Sequence, residues 1–419
     1  MRQKHKQIAT ITFEITEEGK MKFLKDKLLE VQNTADFREA REIRNESRRR
    51  FFELTGKFGF TAAAVAAGAG TLLSSEASAQ TAQEEKEREK SAKHVAIMAT
   101  AYSLWQQIGF PFGVSDAKNN IQNATNGSVY IKMAPNKVLG GGTELAKKTQ
   151  ANTIQFGQHS ISNLAPFAKE VDLINLPYWC SFNQQFSNLV HSNAWKEIVE
   201  TPAAANGYKI FTYLVFDPRT VAVSKRMKEP IRTPDDLKGV KFRVPGSKIL
   251  AQLYTMLGAN PTPVAWGETP PAIKSGVADA LDPCAQGLWV FGFGDILSYI
   301  TFAGTVPDGN VISMSKTWYD GLDEDTQNGI DIASEITTRQ QNSDVQATRA
   351  YSMAEMTKAG VQFYVPTEGE MQQWVEMAGH QRSEWDATKI ELAGSLKNFD
   401  RLLEGANTPS GYYVHDMKA

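Results

Sequence analysis

Cysteine is almost missing from this chain: 419 residues hold two, Cys180 and Cys284. They form no CxxC and no pair of pairs, which excludes a cysteine-built zinc site, an iron–sulfur cluster and a haem attachment motif. Sequence leaves them either as two thiols or as one disulfide, because a bridge depends on a distance that spacing does not contain. Histidine is equally thin. The six residues are scattered without HxxxH or HxH spacing, so no transition-metal centre is expected, while a calcium or sodium ion held by oxygens beside a ligand stays open. An excess of one charge is missing too. The 45 basic and 47 acidic residues leave a net charge of -2, with no field to draw nucleic acid or an anionic membrane surface. What is present is 42% hydrophobic and 22% charged residues, an ordinary globular composition at a length that accommodates two domains.

The first fifth of the chain reads as an address. Ser47-Arg48-Arg49-Arg50-Phe51-Phe52 leads into the Ala/Gly-rich run Phe58 to Leu73 and then Ala77-Ser78-Ala79, a small-residue cleavage pattern. Paired arginines before an aromatic pair resemble the twin-arginine export signal, whose cargo crosses the membrane folded. At about 16 weakly apolar residues the run falls short of the roughly 20 that span a bilayer, so cleavage near Gln80 is expected rather than anchoring. Met21 competes with Met1 as the start. Residues Glu84 to Lys93 then form a solvated charge run.

From His94 onward, strand and helix signals alternate. Short apolar or alternating segments at His94–Ala99, Ser128–Met133 and Thr153–Phe156 flank an amphipathic stretch from Phe110 to Thr125, stopped by Asn126-Gly127, and a helix running to Gln150. That succession implies an α/β lobe with mostly parallel pairing. Leu139-Gly140-Gly141-Gly142-Thr143-Glu144 lacks the ending of a P-loop and the spacing of a dinucleotide fingerprint, which leaves a tight turn or a phosphate cradle at a helix N-terminus. A second α/β lobe is read from strands at Phe211–Val215, Arg219–Val223, Val240–Val244 and Val277–Leu281, with helices at Ile249–Leu257 and Glu268–Ser275. Between Asp325 and Ala359 there is no proline and no glycine beyond Gly329. An unbroken helix there would run about 50 Å, longer than one lobe is wide, and would bridge both; two helices with a kink are the alternative.

The segment Pro234 to Pro245 carries the chemistry. Val240, Phe242 and Val244 alternate inward while Lys241 and Arg243 take the other face, and Pro245 ends the pairing. Arg243 is therefore expected at a strand end that faces the ligand crevice of an open α/β sheet. A guanidinium there matches a carboxylate bidentately; a surface salt bridge is the plainer account of the same arginine.

Taken in order, Leu139 to Glu144, Leu176-Pro177-Tyr178, Pro234 to Pro245, Leu257 to Val264, Ala272 to Asp279 and Trp318 to Leu322 resemble the extracytoplasmic solute receptors of tripartite ATP-independent periplasmic (TRAP) transporters, the dicarboxylate-receptor-like family. The resemblance covers nearly all of the chain after the signal. It implies a two-lobed periplasmic-binding-protein-like α/β fold with hinge-linked lobes and a long bridging helix. It also implies capture of a small organic acid by lobe closure, integral membrane subunits as partners, and no catalysis. Arg243 looks like the family's carboxylate-binding arginine, Arg219 like its second cleft arginine, and Trp266 like an aromatic set against the ligand. Where the family usually carries an asparagine that reaches the ligand, this chain reads Leu281-Asp282-Pro283-Cys284. Asp282 then either reads a hydroxyl or ammonium on the solute or forms a structural ion pair with an arginine.

Position adds Tyr102 and Ser103 after the first strand, and Gln158, His159 and Ser160 after the strand ending at Phe156, as polar groups for the solute. Tyr178, Trp179 and Trp289 supply aromatic bulk, to the core or to the cleft. Two rivals remain: a periplasmic enzyme, for which Glu268, Asp279 and Asp282 could supply acid–base carboxylates but no nucleophile elbow or cofactor fingerprint is present, and a receptor of an ATP-driven importer. The expected layout is leader and signal over 1–79, tether over 80–93, one lobe over 94–218 with about 309–345, a second over 219–308 with about 346–405 and the bridging helix, and a tail over 406–419. The protein is expected as a periplasmic monomer or homodimer that needs no cofactor.

Overall fold

The computed structural model describes residues 83–104 and 113–416. The export signal and cleavage pattern lie outside the described residues. No helix among the described residues is long and apolar enough to cross a membrane.

Eleven strands are described, and they form two sheets. The strands are β1 (His94–Thr100), β2 (Val129–Ala134), β3 (Phe156–Ser160), β4 (Tyr208–Val215), β5 (Val221–Ser224), β6 (Lys241–Val244), β7 (Asn260–Pro263), β8 (Ala280–Leu281), β9 (Leu297–Thr301), β10 (Gly309–Ser315) and β11 (Gln362–Tyr364). One sheet runs β2-β1-β3-β10-β4 and the other β11-β9-β5-β8-β6-β7. Each is the centre of one lobe, and the chain passes from the first to the second between β4 and β5, returns between β9 and β10, and passes again before β11.

The strands from which parallel pairing was expected in the first lobe do pair in parallel, and these crossings add antiparallel strands that make both sheets mixed. β1 pairs parallel with β2 and β3, and β6 with β7 and β8. β10, arriving from the other lobe, lies antiparallel between β3 and β4, and β5 lies antiparallel between β8 and β9. The two connections run side by side, with the Arg219 N–H donating to the Val306 carbonyl at 2.9 Å and the Phe216 N–H to that of Asp308 at 3.2 Å. Such paired strands can twist together, which suits a hinge.

Two strand boundaries also differ from the sequence reading. β3 begins at Phe156, where the expected strand ended, and runs on to Ser160 because Gln158 and His159 find polar partners, Thr100 and Ser313, on the two faces of the sheet. β8 keeps only Ala280 and Leu281, since Val277 and Ala278 turn back to donate to the Ala272 carbonyl.

Four helices matter for the cleft: α1 (Val114–Ala124), α2 (Lys248–Met256), α3 (Ala285–Val290) and α4 (Glu324–Lys358). α4 is one unbroken 35-residue helix, about 50 Å long. Asp323 caps it by accepting from the Thr326 N–H at 3.0 Å. Its first half lies on the first lobe: Thr338 bonds Thr212 of β4 at 2.7 Å, and Gln341 donates to Asp116 of α1 at 2.9 Å. Gly329 permits this approach, since a Cβ there would stand 2.8 Å from the Ala124 carbonyl oxygen. Its second half packs on the other lobe, with Tyr351 edge-on to Trp289 of α3 and Met356 in a cluster with Phe293, Ile296 and Ile300. Within that second half, Arg349 forms an ion pair with Asp217 of the first crossing, which also accepts from Asn183 at 2.9 Å and Gln286 at 2.6 Å. The helix is thus tied to the hinge as well as to both lobes.

The glycine triplet is a tight turn. Gly140 and Gly142 have φ of 96° and 54°, and the Glu144 carboxylate occupies the space beside Gly140 where a side chain would go. An anion at that helix start faces a carboxylate, the wrong sign for a phosphate cradle.

Candidate functional site

β6 and β8 are neighbouring parallel strands with Arg243 opposite Leu281, so Asp282 follows one residue past Arg243's partner. Phe242 and Val244 point into the lobe's core and are fully buried, which forces Arg243 onto the other face, over the strand ends. Arg243 is only 3% exposed. Its Nε and Nη2 donate to the Val264 carbonyl at 3.0 and 2.8 Å, and its guanidinium lies 5.3 Å over the Trp266 ring. Nη1 makes no hydrogen bond among the described residues, and no carboxylate is bonded to this cation. Burial pulls its pKa down to about 10, although Asp282 works the other way.

Arg219, in the first crossing, is held quite differently. Its Nη1 meets Asp282 Oδ1 at 3.1 Å and its Nη2 meets Asp308 Oδ1 at 3.2 Å. Burial opposes its charge, but the carboxylates of Asp308 and Asp282 outweigh that and leave its pKa above the usual value. Asp308 stands just before β10, in the second crossing, so this triad of charges joins the two hinge connections. Asp308 has partners on both oxygens, accepting also from the Gly309 N–H at 3.0 Å and the Cys284 N–H at 3.1 Å. Asp282 is fully buried, and burial raises its pKa against the pull of Arg219 and Arg243.

Aromatic contacts carry the site across to the first lobe. Trp266 meets Phe291 edge-on at 5.0 Å, and Phe291 meets Tyr102, which follows β1, at 5.0 Å. Burial pushes the Tyr102 hydroxyl up to about 12, against its hydrogen bond to Asn310. Arg243, Arg219, Trp266, Asp282 and Tyr102 are therefore brought together. Gln158 is buried on β3, accepting a hydrogen bond from Thr100 while its Nε2 has no partner. Ser160, half-buried, lies across the ladder from Asn310. Ser103 is half-buried in the loop after Tyr102. Cys180 and Cys284 are separate buried thiols, and Cys284 belongs to this cleft. Trp179 belongs to the core, stacked obliquely on Phe399 at 5.0 Å.

His159 does not join them. The two-residue period of β3 turns it to the opposite face from Gln158, where Nδ1–H donates to the Ser160 carbonyl at 2.9 Å and Nε2 meets the Ser313 hydroxyl at 2.9 Å. Burial lowers its pKa to about 4, against that backbone hydrogen bond. Below about 6.5 the unfolded chain takes up a proton that the folded ring refuses, down to about pH 4. Stability therefore falls as pH drops through that window. Urea unfolding at pH 7 and pH 5 should show this loss in the wild type and a smaller one in His159→Gln; equal losses would assign the dependence to other groups.

Asp308, Asn310, Phe291 and Tyr254 were not legible as site residues. Pro307-Asp308-Gly309 reads as an ordinary turn, and Phe291-Gly292-Phe293-Gly294 as loop punctuation. The return of the chain between β9 and β10 gives Asp308 and Asn310 their place, and ring contacts with Trp266 and Tyr102 give Phe291 its own.

Residues 113–387 match the family model described as bacterial extracellular solute-binding protein, family 7. The chain belongs to this family. Among characterised members, it is 23% identical over 267 residues to the C4-dicarboxylate-binding periplasmic protein of Rhodobacter capsulatus, covering 63% of this chain and 79% of that one. It is 26% identical over 217 residues to the ectoine/5-hydroxyectoine-binding periplasmic protein of Ruegeria pomeroyi, covering 51% of this chain and 63% of that one. Its fold matches a TRAP periplasmic solute-binding protein of Roseobacter denitrificans with bound β-D-glucuronate, at a TM-score of 0.67 and 16% identity, over 75% of this chain and 99% of that one. The two-lobed α/β architecture is thus that of the family.

Proposed function

We propose that this family member is an extracytoplasmic receptor that captures a small organic anion between its lobes and delivers it to the membrane subunits of a TRAP-type secondary transporter. The observation that carries the reading is Arg243. It is a buried cation with a free donor, fixed to a backbone carbonyl and an indole face, with no carboxylate bonded to it. A buried charge without a partner is costly, and a solute carboxylate would supply that partner. Arg219 keeps a buried Nε without a partner among the described residues, but its charge is balanced by Asp282 and Asp308, so Arg243 is the cation that gains most from an anion. A solute bound at Arg243 from one lobe and near Tyr102 and Asn310 from the other stabilises the closed form over the open one, which is all that lobe closure requires. The membrane partner then reads closure. Export before Gln80 by the twin-arginine route places the receptor in the periplasm, and the reading asks for no metal or cofactor.

A thermal-shift screen of the purified protein against carboxylates, sulfonates, hydroxy acids and amino acids tests it. A ligand at a hundred times its dissociation constant adds about 2.7 kcal/mol of stability. At least one class of organic acid should raise the melting temperature and the others should not; no shift with any anion would overturn the reading.

A further inference from the structure

The cleft holds one carboxylate oxygen that the fold leaves unsatisfied. Asp282 Oδ1 accepts from Arg219, but Asp282 Oδ2 is buried with no hydrogen-bond partner among the described residues. Tyr254 of α2, whose hydroxyl feels the Asp282 charge, makes no hydrogen bond to it. Buried polar atoms in folded proteins are nearly always paired, and an exception calls for a reason. A structural ion pair alone does not supply one. One guanidinium stands between two carboxylates, both oxygens of Asp308 have partners, and Asp282 Oδ2 is the carboxylate oxygen of this triad left without one.

Asp282 follows directly on Leu281, the residue opposite Arg243, so its carboxylate stands at the same strand end. The β6–β8 register fixes the two residues on adjacent strands, and each feels the other's charge. An ionised carboxylate only accepts hydrogen bonds, and a guanidinium only donates them. The two together present a donor and, next to it, an acceptor. The charges point the same way: Arg219 and Arg243 against Asp282 and Asp308 sum to zero. A monocarboxylate adds one negative charge and satisfies Arg243. A dicarboxylate adds two, and its second carboxylate offers Asp282 nothing to accept.

We infer that Asp282 makes this cleft selective for monocarboxylates that also carry a hydrogen-bond donor, a hydroxyl or an ammonium group, over dicarboxylates. The inference rests on the receptor reading and deepens it: Arg243 anchors the carboxylate, and Asp282 Oδ2 accepts from the donor on the rest of the solute. A solute that merely lacks the donor leaves a buried acceptor unpaired, which the site resists strongly.

A matched series tests this without knowledge of the natural solute. Titration calorimetry compares butyrate, 4-hydroxybutyrate, 4-aminobutyrate and succinate on the wild type and on Asp282→Asn. In the wild type a donor-bearing monocarboxylate should bind about tenfold or more tightly than its dicarboxylate counterpart. The hydroxy and amino arms show which donor is preferred. In Asp282→Asn, whose amide can still accept from Arg219 but offers a donor in place of the second oxygen, that preference should collapse or reverse. A dicarboxylate that binds the wild type as tightly as its hydroxy or amino counterpart, or a preference unchanged in Asp282→Asn, would overturn the inference and leave the receptor reading standing. If no acid of any kind binds, the receptor reading fails and the inference with it. The wild-type series decides even where the variant is too unstable to purify.

Discussion

Arg243→Ala should weaken solute binding by about 2–5 kcal/mol, roughly thirtyfold to several thousandfold, while the unliganded protein melts near or above the wild-type temperature. The two halves of that expectation have one cause. Arg243 lacks a bonded carboxylate, so its burial costs free energy in the unliganded state and is offset only when an anion arrives. Removing it deletes the anchor and the cost together. Arg243→Lys should rescue binding only in part, because an ammonium cannot hold Val264 with two nitrogens and still aim a third at the solute. Calorimetry with the ligand found by thermal shift gives the affinity, and melting without ligand gives the stability. Near-wild-type affinity in the alanine variant would remove Arg243 from the site.

Arg219→Ala should behave in the opposite way, with its main effect on the fold. Its guanidinium is the bonded counter-charge of Asp282 and the cation that links Asp282 to Asp308 across the two hinge connections. Without it, two buried carboxylates face each other uncompensated, a loss of about 3–5 kcal/mol. The deficit should shrink on acidification. In the variant the folded-state pKa of Asp282 lies above its unfolded value, so the folded state binds protons first and regains stability as pH falls towards the unfolded value of about 3.9. Urea unfolding at pH 7.5 and pH 5 measures this. A deficit that is the same at both pH values would mean that lost packing, and not stranded charge, explains the variant.

The contrast between the arginines marks how far sequence reaches. Arg243 was legible because a local rule placed it: three alternating apolar residues, a proline that ends the strand, and a short β-ladder leave its side chain one direction to point. The bridging helix was legible for a similar reason, since the stretch 325–359 offers nothing to break a helix. The role of Arg219 was not. Its partners, Asp282 and Asp308, are 63 and 89 residues away along the chain, and they meet because two strands change lobes side by side. β3 was misplaced for a related reason. Gln158 and His159 look like loop residues, and they are tolerated in a buried strand only because Thr100 and Ser313 wait on either face. His159 then fell on the wrong side of a sheet whose frame had shifted. Asp282 shows the limit most clearly: sequence left it between ion pair and solute contact, and the structure commits one oxygen to the ion pair and leaves the other without a partner among the described residues.

The three passages of the chain between sheets bear on how such a protein can change its ligand. Strands β1 to β4 and β10 build one lobe, and β5 to β9 with β11 the other, while α4 belongs to both. Neither lobe is a continuous stretch of sequence. A recombination event that swaps one half of the molecule for a relative's would have to cut at three places and splice through the middle of a helix. New specificity is therefore more accessible by single replacements at strand ends than by exchange of modules, and a residue such as Asp282, one step beyond a two-residue strand, is where such a replacement alters the solute with the least disturbance to the rest.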